Sequence, residues 1–364
     1  MINRILAYLG RHLDKYLLIG LGALVLAGLV VLYSASNATL PRVIGQLTNL
    51  LIAVGVMWAA ANIAPHYLMR VALPIYFIGL LLLVAVEVKG EIINGAQRWL
   101  NVGVANIQPS EIMKIAVPLA VAWYFDRYEA ILRFRDYCIA TIMVLVPVLL
   151  VAHQPDLGTA VLIAAAGFFV IFFAGLSWKV LIGLAVAAMA FMPVLWSLMH
   201  DYQRRRILTL IDPSQDPLGA GYHTIQASIA LGSGGVFGKG WLNGTQAHLD
   251  FLPERSTDFI FAVFGEEFGL FGNLILISLY IFVIGRGLFI SFNASTLFTR
   301  LLAGAISLTF FIYVFVNMGM VGGILPVVGV PLPLISYGGT SLVSIMFGMG
   351  ILMSIHTHKR LVQS

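Results

Sequence analysis

YLLIGLGALVLAGLVVLYS, residues 16–34, runs for nineteen residues without a charge. A helix needs roughly 20 mostly apolar residues to cross the hydrocarbon core of a bilayer. This stretch meets that length, and it sits just after Arg11, Asp14 and Lys15. It reads as a retained span, not a cleaved signal peptide, because it is full length and no small-residue cleavage site follows it. Nine more stretches read the same way, at 43–62, 70–87, 110–125, 137–153, 157–175, 178–199, 258–284, 300–321 and 338–356. Pro118, Pro147 and Pro193 fall inside them. Membrane helices tolerate such prolines because neighbouring groups satisfy the freed backbone.

The whole chain agrees with its first span. Of 364 residues, 60% are hydrophobic and only 10% are charged, and the mean hydropathy is +0.95. A soluble domain of this size needs far more polar residues to cover its surface. The expectation is an all-α polytopic membrane protein of about ten transmembrane helices, forming one transmembrane domain over 1–364. The net charge of +5 is modest, and no basic run interleaves with aromatic residues. That pattern speaks against nucleic acid as a partner. Cys138 is alone, which excludes an intramolecular disulfide and a cysteine metal cluster.

Lysine and arginine in short loops set the orientation. With the N-terminus in the cytoplasm, Arg4, Arg11, Lys15, Arg70, Arg127, Arg133, Arg135, Lys179, Arg286, Arg300, Lys359 and Arg360 lie inside. Only Arg42, Lys89 and Arg98 lie in short outer loops. Ten spans then return the C-terminus to the cytoplasm. The long segment 200–257, between the seventh and eighth spans, becomes a periplasmic loop. Ile225, Ile229, Phe237, Trp241 and Phe251 give it apolar anchors, and Tyr222–Leu231 suits a helix lying on the membrane surface. Polar and irregular segments recur on the same side: KGEIINGAQRWLNVGVANIQP (89–109), HQPD (153–156) and the uncharged, proline-broken GGILPVVGVPLPLISY (322–337). The inner loops are short. The chemistry is therefore expected outside.

Several residues have both a plain and a functional reading. Glu111 and Lys114, at i and i+3, share one helix face. They form a salt bridge that lets two charges enter a bundle, or they line a polar cavity open to the outside; both can hold. Asp258 opens the eighth span. It is either an N-terminal dipole partner, with Ser256 and Thr257 as rival caps, or a general base at a cavity mouth. There, partial desolvation raises its pKa and nearby Arg255 lowers it. Glu266 and Glu267 lie about two turns further on, on the order of 12 Å. Near mid-membrane they bond neighbouring helices or serve a proton path. Arg204, Arg205 and Arg206 anchor the loop to anionic lipid headgroups or clamp a pyrophosphate; Arg98 with Gln97 is a similar case. GSGGVFGKG (232–240) fails as a phosphate loop, because its glycine spacing is wrong and Lys239 precedes Gly240. It reads as a tight turn against the membrane.

The strings GAQRWL (95–100), QPSEIMK (108–114), QPDLGT (154–159), DPLGAGYHTIQASIALGSGG (216–235), GKGWLNGTQ (238–246), FLPERSTDFIFAV (251–263) and PLPLISYGGTS (331–341) resemble the SEDS family of RodA, FtsW and SpoVE. They are long, in order, and cover most of the chain. HDYQRRR (200–206) and FLPERSTDFIFAV look more like the RodA branch than the FtsW branch.

The resemblance implies a ten-helix fold in the bacterial cytoplasmic membrane. It also implies a peptidoglycan glycosyltransferase that polymerises lipid II into β-1,4-linked glycan during cell elongation, inverting the anomeric centre and releasing undecaprenyl pyrophosphate. It places the catalytic acid at Asp258. It maps the family's paired Glu and Lys onto Glu111 and Lys114 and the acid of QPDLGT onto Asp156. Arg98, Gln97, Gln203, Arg204, Arg205, Arg255 and Ser336 join them as candidates for substrate binding or cavity lining. It implies a class B penicillin-binding protein as transpeptidase partner, among the membrane proteins of the elongasome and the surrounding lipids. A divalent cation, Mg or Mn, is implied for some members, but no metal-ligand spacing in this sequence identifies a site. The rival functions are a lipid II flippase or transporter, which Glu266 and Glu267 favour, and a non-catalytic scaffold for a transpeptidase. No inverted repeat or matched pair of broken helices supports the transporter.

Overall fold

The structure, a computed structural model, describes residues 12–93, 96–101, 106–128, 132–199, 204, 208–210, 212, 220–249, 251–252 and 254–358. Among the described residues ten helices of 17 residues or more carry the chain back and forth: α1 Lys15–Ala35, α2 Leu40–Asn62, α3 Pro65–Lys89, α4 Pro109–Arg127, α5 Phe134–His153, α6 Leu157–Phe173, α7 Trp178–Leu198, α10 Ile260–Phe292, α11 Leu297–Val321 and α12 Thr340–Thr357. Nine of them coincide with expected spans; the helix expected over 258–284, α10, runs on to Phe292. Two shorter helices, α8 Ala220–Ser233 and α9 Thr245–His248, lie in the long loop. Seven of the ten are long and apolar enough to cross a membrane; α6 is a shorter apolar helix, and α7 is apolar over Trp178–Val194. Helix α4 differs because it carries Glu111, Lys114, Asp126 and Arg127.

In the expected outer loop after α3, the described residues form a small three-stranded antiparallel sheet of β1 Glu91–Ile93, β2 Ala96–Asn101 and β3 Asn106–Ile107. Glu91 faces Trp99, and Leu100 faces Ile107. A segment of this length next to a bilayer must satisfy its backbone groups locally, and a sheet does so without entering lipid.

Capping explains several helix starts. The Asp14 carboxylate accepts from the Leu17 N–H at 2.7 Å. Asp156 does the same for α6, accepting from the Thr159 N–H at 3.1 Å. Pro65 and Pro109 occupy first helical positions, where a missing N–H costs nothing.

Inside lipid, close packing and interhelical hydrogen bonds hold helices together. Gly350 of α12 meets Met57 and Ala60 of α2 so closely that a Cβ would collide. The Tyr76 hydroxyl of α3 donates to the Met143 carbonyl of α5 at 2.8 Å. Gln154 Nε2 donates to the Leu83 carbonyl of α3 at 3.1 Å. The most buried helix of the first half is the charged one, α4, with both Glu111 and Lys114 inside. Helix α7 is the opposite case. It buries none of its described residues, and its apolar surface continues all round, as suits a helix facing lipid.

The first and last described residues meet. His12 stacks on His358 with ring centroids 4.3 Å apart. Beside them Arg286 of α10 binds Asp14 at 2.6 and 3.1 Å. Burial pushes the Asp14 carboxyl up, but the Arg286 bond and the Leu17 N–H outweigh it and hold the group below the ordinary carboxylate range.

Helix α10 is not one rod. Gly269 has φ 65° and ψ −164°, so the chain breaks between two helical halves. The bend is sharp: the space beside Gly265 is filled by Asn273, and that beside Gly272 by Phe264 and Phe268. A straight helix would separate residues eight apart by about 12 Å. The break frees backbone groups, and the glycine-rich loop takes them. Lys239 N and Gly240 N donate to the Glu266 and Glu267 carbonyls at 3.0 and 2.9 Å, while Leu270 N and Phe271 N donate to the Gly235 and Val236 carbonyls at 2.9 and 3.0 Å. The tight turn at 232–240 thus stitches a broken helix.

Candidate active site

Asp258 ends the turn that leads into α10. Thr257 N and Phe259 N both donate to the Glu254 carbonyl, at 3.1 and 3.2 Å. Neighbouring elements hold each residue of this turn. Arg255 Nε donates to the Ala35 carbonyl at 2.8 Å, at the end of α1. Arg42 of α2 donates to the Ser256 hydroxyl at 2.8 Å, and Tyr337 N donates to the Ser256 carbonyl at 2.8 Å. The Ser336 hydroxyl donates to the Thr257 carbonyl at 2.6 Å and accepts from the Leu332 N–H at 2.8 Å. Asn317 of α11 donates to the Asp258 carbonyl at 2.8 Å.

The backbone of Asp258 is therefore fixed, while its carboxylate makes no side-chain hydrogen bond among the described residues. Helix α10 begins after Phe259 with no side-chain cap. The Thr257 hydroxyl turns to Glu254 instead, reaching its carboxylate at 2.8 Å. None of the capping roles open to Asp258, Ser256 and Thr257 is taken up. The carboxylate is half-buried and lies against Gly329, 3.4 Å from where a Cβ would stand. Burial, and next the negative charge of Glu254, push its pKa up to about 6. Arg255 is bonded to the Ala35 carbonyl, at the end of α1.

A second group gathers around Asp156. Beyond capping α6, its carboxylate accepts from Gln108 Nε2 at 3.2 Å and lies 3.9 Å from Arg98 Nη1. Arg98 also donates to the Pro155 carbonyl at 2.6 Å. The uncharged loop joins the two acids. Gly158, two residues beyond Asp156, packs on Val328 and Val330, and Asp258 packs on Gly329 between them.

The third group lies along α4. Lys114 Nζ is 2.6 Å from Glu111 Oε1, and the Ser344 hydroxyl of α12 donates to Glu111 Oε2 at 2.8 Å. Lys114 also stands 5.1 Å over the Tyr313 ring of α11. A cavity of about 40 Å³ lined by Lys114, Thr309, Tyr313 and Ser344 flanks the pair. A larger apolar cavity of about 220 Å³ reaches Glu111 from between α2, α3, α4 and α12. Tyr313 and Asn317 sit one turn apart on α11, so one helix face touches both the buried ion pair and the Asp258 turn.

Other expected residues fall elsewhere. Arg204 donates to the Trp196 and Ser197 carbonyls at 2.9 and 2.7 Å, closing the end of α7. Ser336 donates to the turn and accepts from Leu332 of its own loop, so it ties the loop down. Gln203 and Arg205, with Arg206, lie outside the described residues, as does the side chain of Gln97 on β2. Glu266 and Glu267 are not at mid-membrane. The Ser34 hydroxyl, next to the last residue of α1, donates to Glu267. Glu266 accepts from Lys239 Nζ at 2.7 Å, from Thr245 N at 2.8 Å and from Gln246 N at 3.1 Å. The straight-helix assumption misplaced them, because the break at Gly269 holds them at the end of α1. Sequence reading missed Asn317, Gln108 and Tyr313. The signal available for Asn317 was a lone amide in an otherwise apolar span.

Among the described residues no group of three or more His, Cys, Asp or Glu side chains is placed to hold a metal ion. The divalent cation implied by the resemblance thus finds no protein-built site there, and the steps below use the chain's own groups.

Fold and site define a polytopic membrane protein with a half-buried carboxylate, Asp258, in the turn before α10 and a buried ion pair on α4. Residues 14–361 match the FtsW, RodA and SpoVE family of cell cycle proteins, and the chain belongs to that family. It is 54% identical over 356 residues to the peptidoglycan glycosyltransferase MrdB of Escherichia coli (strain K12), covering 96% of this chain and 95% of that one. A probable peptidoglycan glycosyltransferase FtsW of Trichlorobacter lovleyi is 36% identical, over 94% and 92% of the two chains. Among solved structures, the RodA of Thermus thermophilus superposes with a TM-score of 0.73 at 29% identity, over 96% of this chain and 98% of that one. A chain from a peptidoglycan synthase complex described as coordinating polymerization and crosslinking gives 0.84 at 31% identity, over 96% and 99%.

Proposed function

We propose that this chain is a peptidoglycan glycosyltransferase of the cytoplasmic membrane and that Asp258 is its general base. The positive-inside bias puts both termini in the cytoplasm and the Asp258 end outside. There Asp258 meets lipid II that has already been translocated.

In this mechanism Asp258 takes the proton of the 4-hydroxyl on the acceptor's N-acetylglucosamine. The freed oxygen attacks C1 of the donor's N-acetylmuramic acid from the face opposite its pyrophosphate. The C1–O bond to undecaprenyl pyrophosphate breaks, and the configuration inverts to a β-1,4 link. One carboxylate suffices, because pyrophosphate leaves as an anion and needs cationic stabilisation, not a proton. Arg98 and Lys114 are candidates for that charge, Asp156 lying beside Arg98 and Glu111 paired with Lys114.

The observation that carries this reading is the Asp258 carboxylate. Its backbone is clamped from several helices, and its oxygens keep no partner of their own among the described residues. Its pKa of about 6 suits a base working near neutral pH. A polymerase with this geometry also suits a class B penicillin-binding protein as crosslinking partner in the elongation machinery. The transport reading loses its support, since Glu266 and Glu267 are tied down at the end of α1.

The direct test is incubation of purified protein, alone and with its transpeptidase, with labelled lipid II. The parent makes long glycan. An Asp258→Ala protein with an unchanged elution profile falls by roughly 10²–10⁴ in rate. Polymer at the parent rate from that variant refutes the base assignment; lipid movement in liposomes without polymer favours a transporter.

A further inference from the structure

Asn317 is fully buried on α11, four residues from its outer end, among aliphatic and aromatic neighbours. A primary amide is costly to bury in such surroundings unless its hydrogen bonds are made. Its Nδ2 makes two, donating to the Asp258 carbonyl at 2.8 Å and to the Val330 carbonyl at 2.7 Å. Two carbonyl acceptors leave no ambiguity about which end of the amide is nitrogen. Its Oδ1 is buried and makes no hydrogen bond among the described residues. The chain therefore keeps a half-satisfied amide at this position, at a cost an apolar residue would avoid.

The two carbonyls explain its position. One belongs to Asp258. The other belongs to the residue after Gly329, against which the Asp258 carboxylate rests. A single amide thus holds together the turn that carries the base and the loop that walls it. No other side chain among the described residues bonds both of these carbonyls; the Ser336 hydroxyl ties the same turn and loop further along, at the Thr257 carbonyl and the Leu332 N–H.

We propose that Asn317 is a positioning residue for glycosyl transfer, its amide setting the gap between the Asp258 turn and the Gly329 wall by bonding the carbonyls on both sides of it. This rests on the reading of Asp258 as the base. Asn317 itself touches neither substrate nor the reacting atoms. Without it the loop moves off the carboxylate, water enters, and the base loses both its aim and its partly dry setting. The charged and titratable groups around the turn are Glu254 and Arg255 on the turn itself, Arg42 of α2, Tyr337 of the loop, and His223 of α8, stacked on Phe259 at 5.7 Å. None of them is altered by a change at Asn317.

The test compares full-length Asn317→Ala, Asn317→Ser and Asp258→Ala with the parent on labelled lipid II, recording kcat, KM and the pH profile of kcat. We expect Asn317→Ala to lower kcat by about 10²-fold, the scale of a misplacement of about 1 Å, with KM for lipid II unchanged. Its acid limb should move down from about 6 toward ordinary carboxylate values. Asn317→Ser, which keeps one donor, should fall between, and it decides the matter if Asn317→Ala does not fold. Folded variants with parent kcat overturn the proposal, and so does a lost kcat with the acid limb unmoved, which marks a purely structural amide. Asp258→Ala separates the two claims: if it works at the parent rate, the base reading itself falls, whereas an inactive Asp258→Ala beside unperturbed Asn317 variants sinks the positioning claim alone.

Discussion

Ser34 and Glu267 meet at the end of α1, where the serine hydroxyl donates to the glutamate carboxylate. This contact fixes the level of the broken helix. Twenty-three residues, 270–292, remain to cross the membrane, about 34 Å at 1.5 Å per residue. The half from Ile260 to Phe268 is left to build the site, and every residue of it from Ile260 to Glu267 is buried. The polypeptide reverses direction at Gly269 so that Asp258 can face the loop instead of standing on a straight helical stem.

Substituting Gly269 tests that geometry. With φ 65° and ψ −164° the position suits glycine alone, and holding another residue there costs about 1–3 kcal/mol. A Cβ would also run into Gly238 N and into the Val236 carbonyl at 2.7 Å. Gly269→Ala should lower the thermal midpoint in detergent and reduce glycan synthesis together. A variant with parent stability would mean the bend is not what the sequence requires.

Glu266 and Lys239 should contribute unequally. Glu266 is fully buried and accepts from Lys239, Thr245 and Gln246. Glu266→Ala leaves those backbone donors unmet and should cost about 3 kcal/mol. Lys239 is partly exposed, and Lys239→Met leaves Glu266 its N–H donors. Its cost should be about 1.5 kcal/mol, the low end for one hydrogen bond to a charged group. Thermal unfolding of both variants ranks them, and the reverse order would contradict the cage described.

Much of this was readable in advance, for identifiable reasons. The ten spans were legible because a bilayer demands a long apolar run for each crossing, and residues such as Leu17 to Leu32 supply it without interruption. Glu111 with Lys114 was legible because i,i+3 spacing forces a shared face. What escaped depended on one residue changing direction. The glycine at 269 was indistinguishable in sequence from Gly265 or Gly272, so Glu266 was placed along a straight axis. Arg204 and Arg255 were legible as charges, but not as donors to helix-end carbonyls, since their targets, Trp196 and Ala35, are apolar residues with only a backbone oxygen to offer.

The raised pKa of Asp258 has two consequences of opposite sign. The carboxylate must be ionised to act as base, so activity should fall on acidification with a midpoint near the pKa of about 6. For stability, the native state binds this proton more tightly than the unfolded chain, whose value is 3.8. Between those values unfolding releases the proton, and the native state loses stability as pH rises. At neutral pH the ionised group is therefore a penalty. Asp258→Asn removes it and should raise the thermal midpoint at pH 7 while abolishing polymerisation, with the gain shrinking toward pH 4. A destabilised Asp258→Asn at pH 7 would contradict the burial argument.

Glu111 and Lys114 allow the structural and chemical roles of a buried pair to be separated. Both are buried within the bundle, 2.6 Å apart. Removing one partner strands the other, and Lys114→Met alone should cost about 3–5 kcal/mol. Removing both as Glu111→Gln with Lys114→Met leaves no stranded charge. Such double replacements are often neutral for stability. Ser344 helps here, because its hydroxyl now donates to Glu111 Oε2 and can donate equally to the amide oxygen of the replacement. If the pair served only to hold α4, α11 and α12 together, the double variant would regain both stability and activity. If Lys114 supplies charge for the departing pyrophosphate, stability returns and activity does not, with a loss on the scale of one electrostatic donor, about 10²–10³ in kcat. Thermal midpoints and lipid II turnover on the same preparations distinguish these outcomes, and recovery of turnover by the double variant would exclude Lys114 from the chemistry.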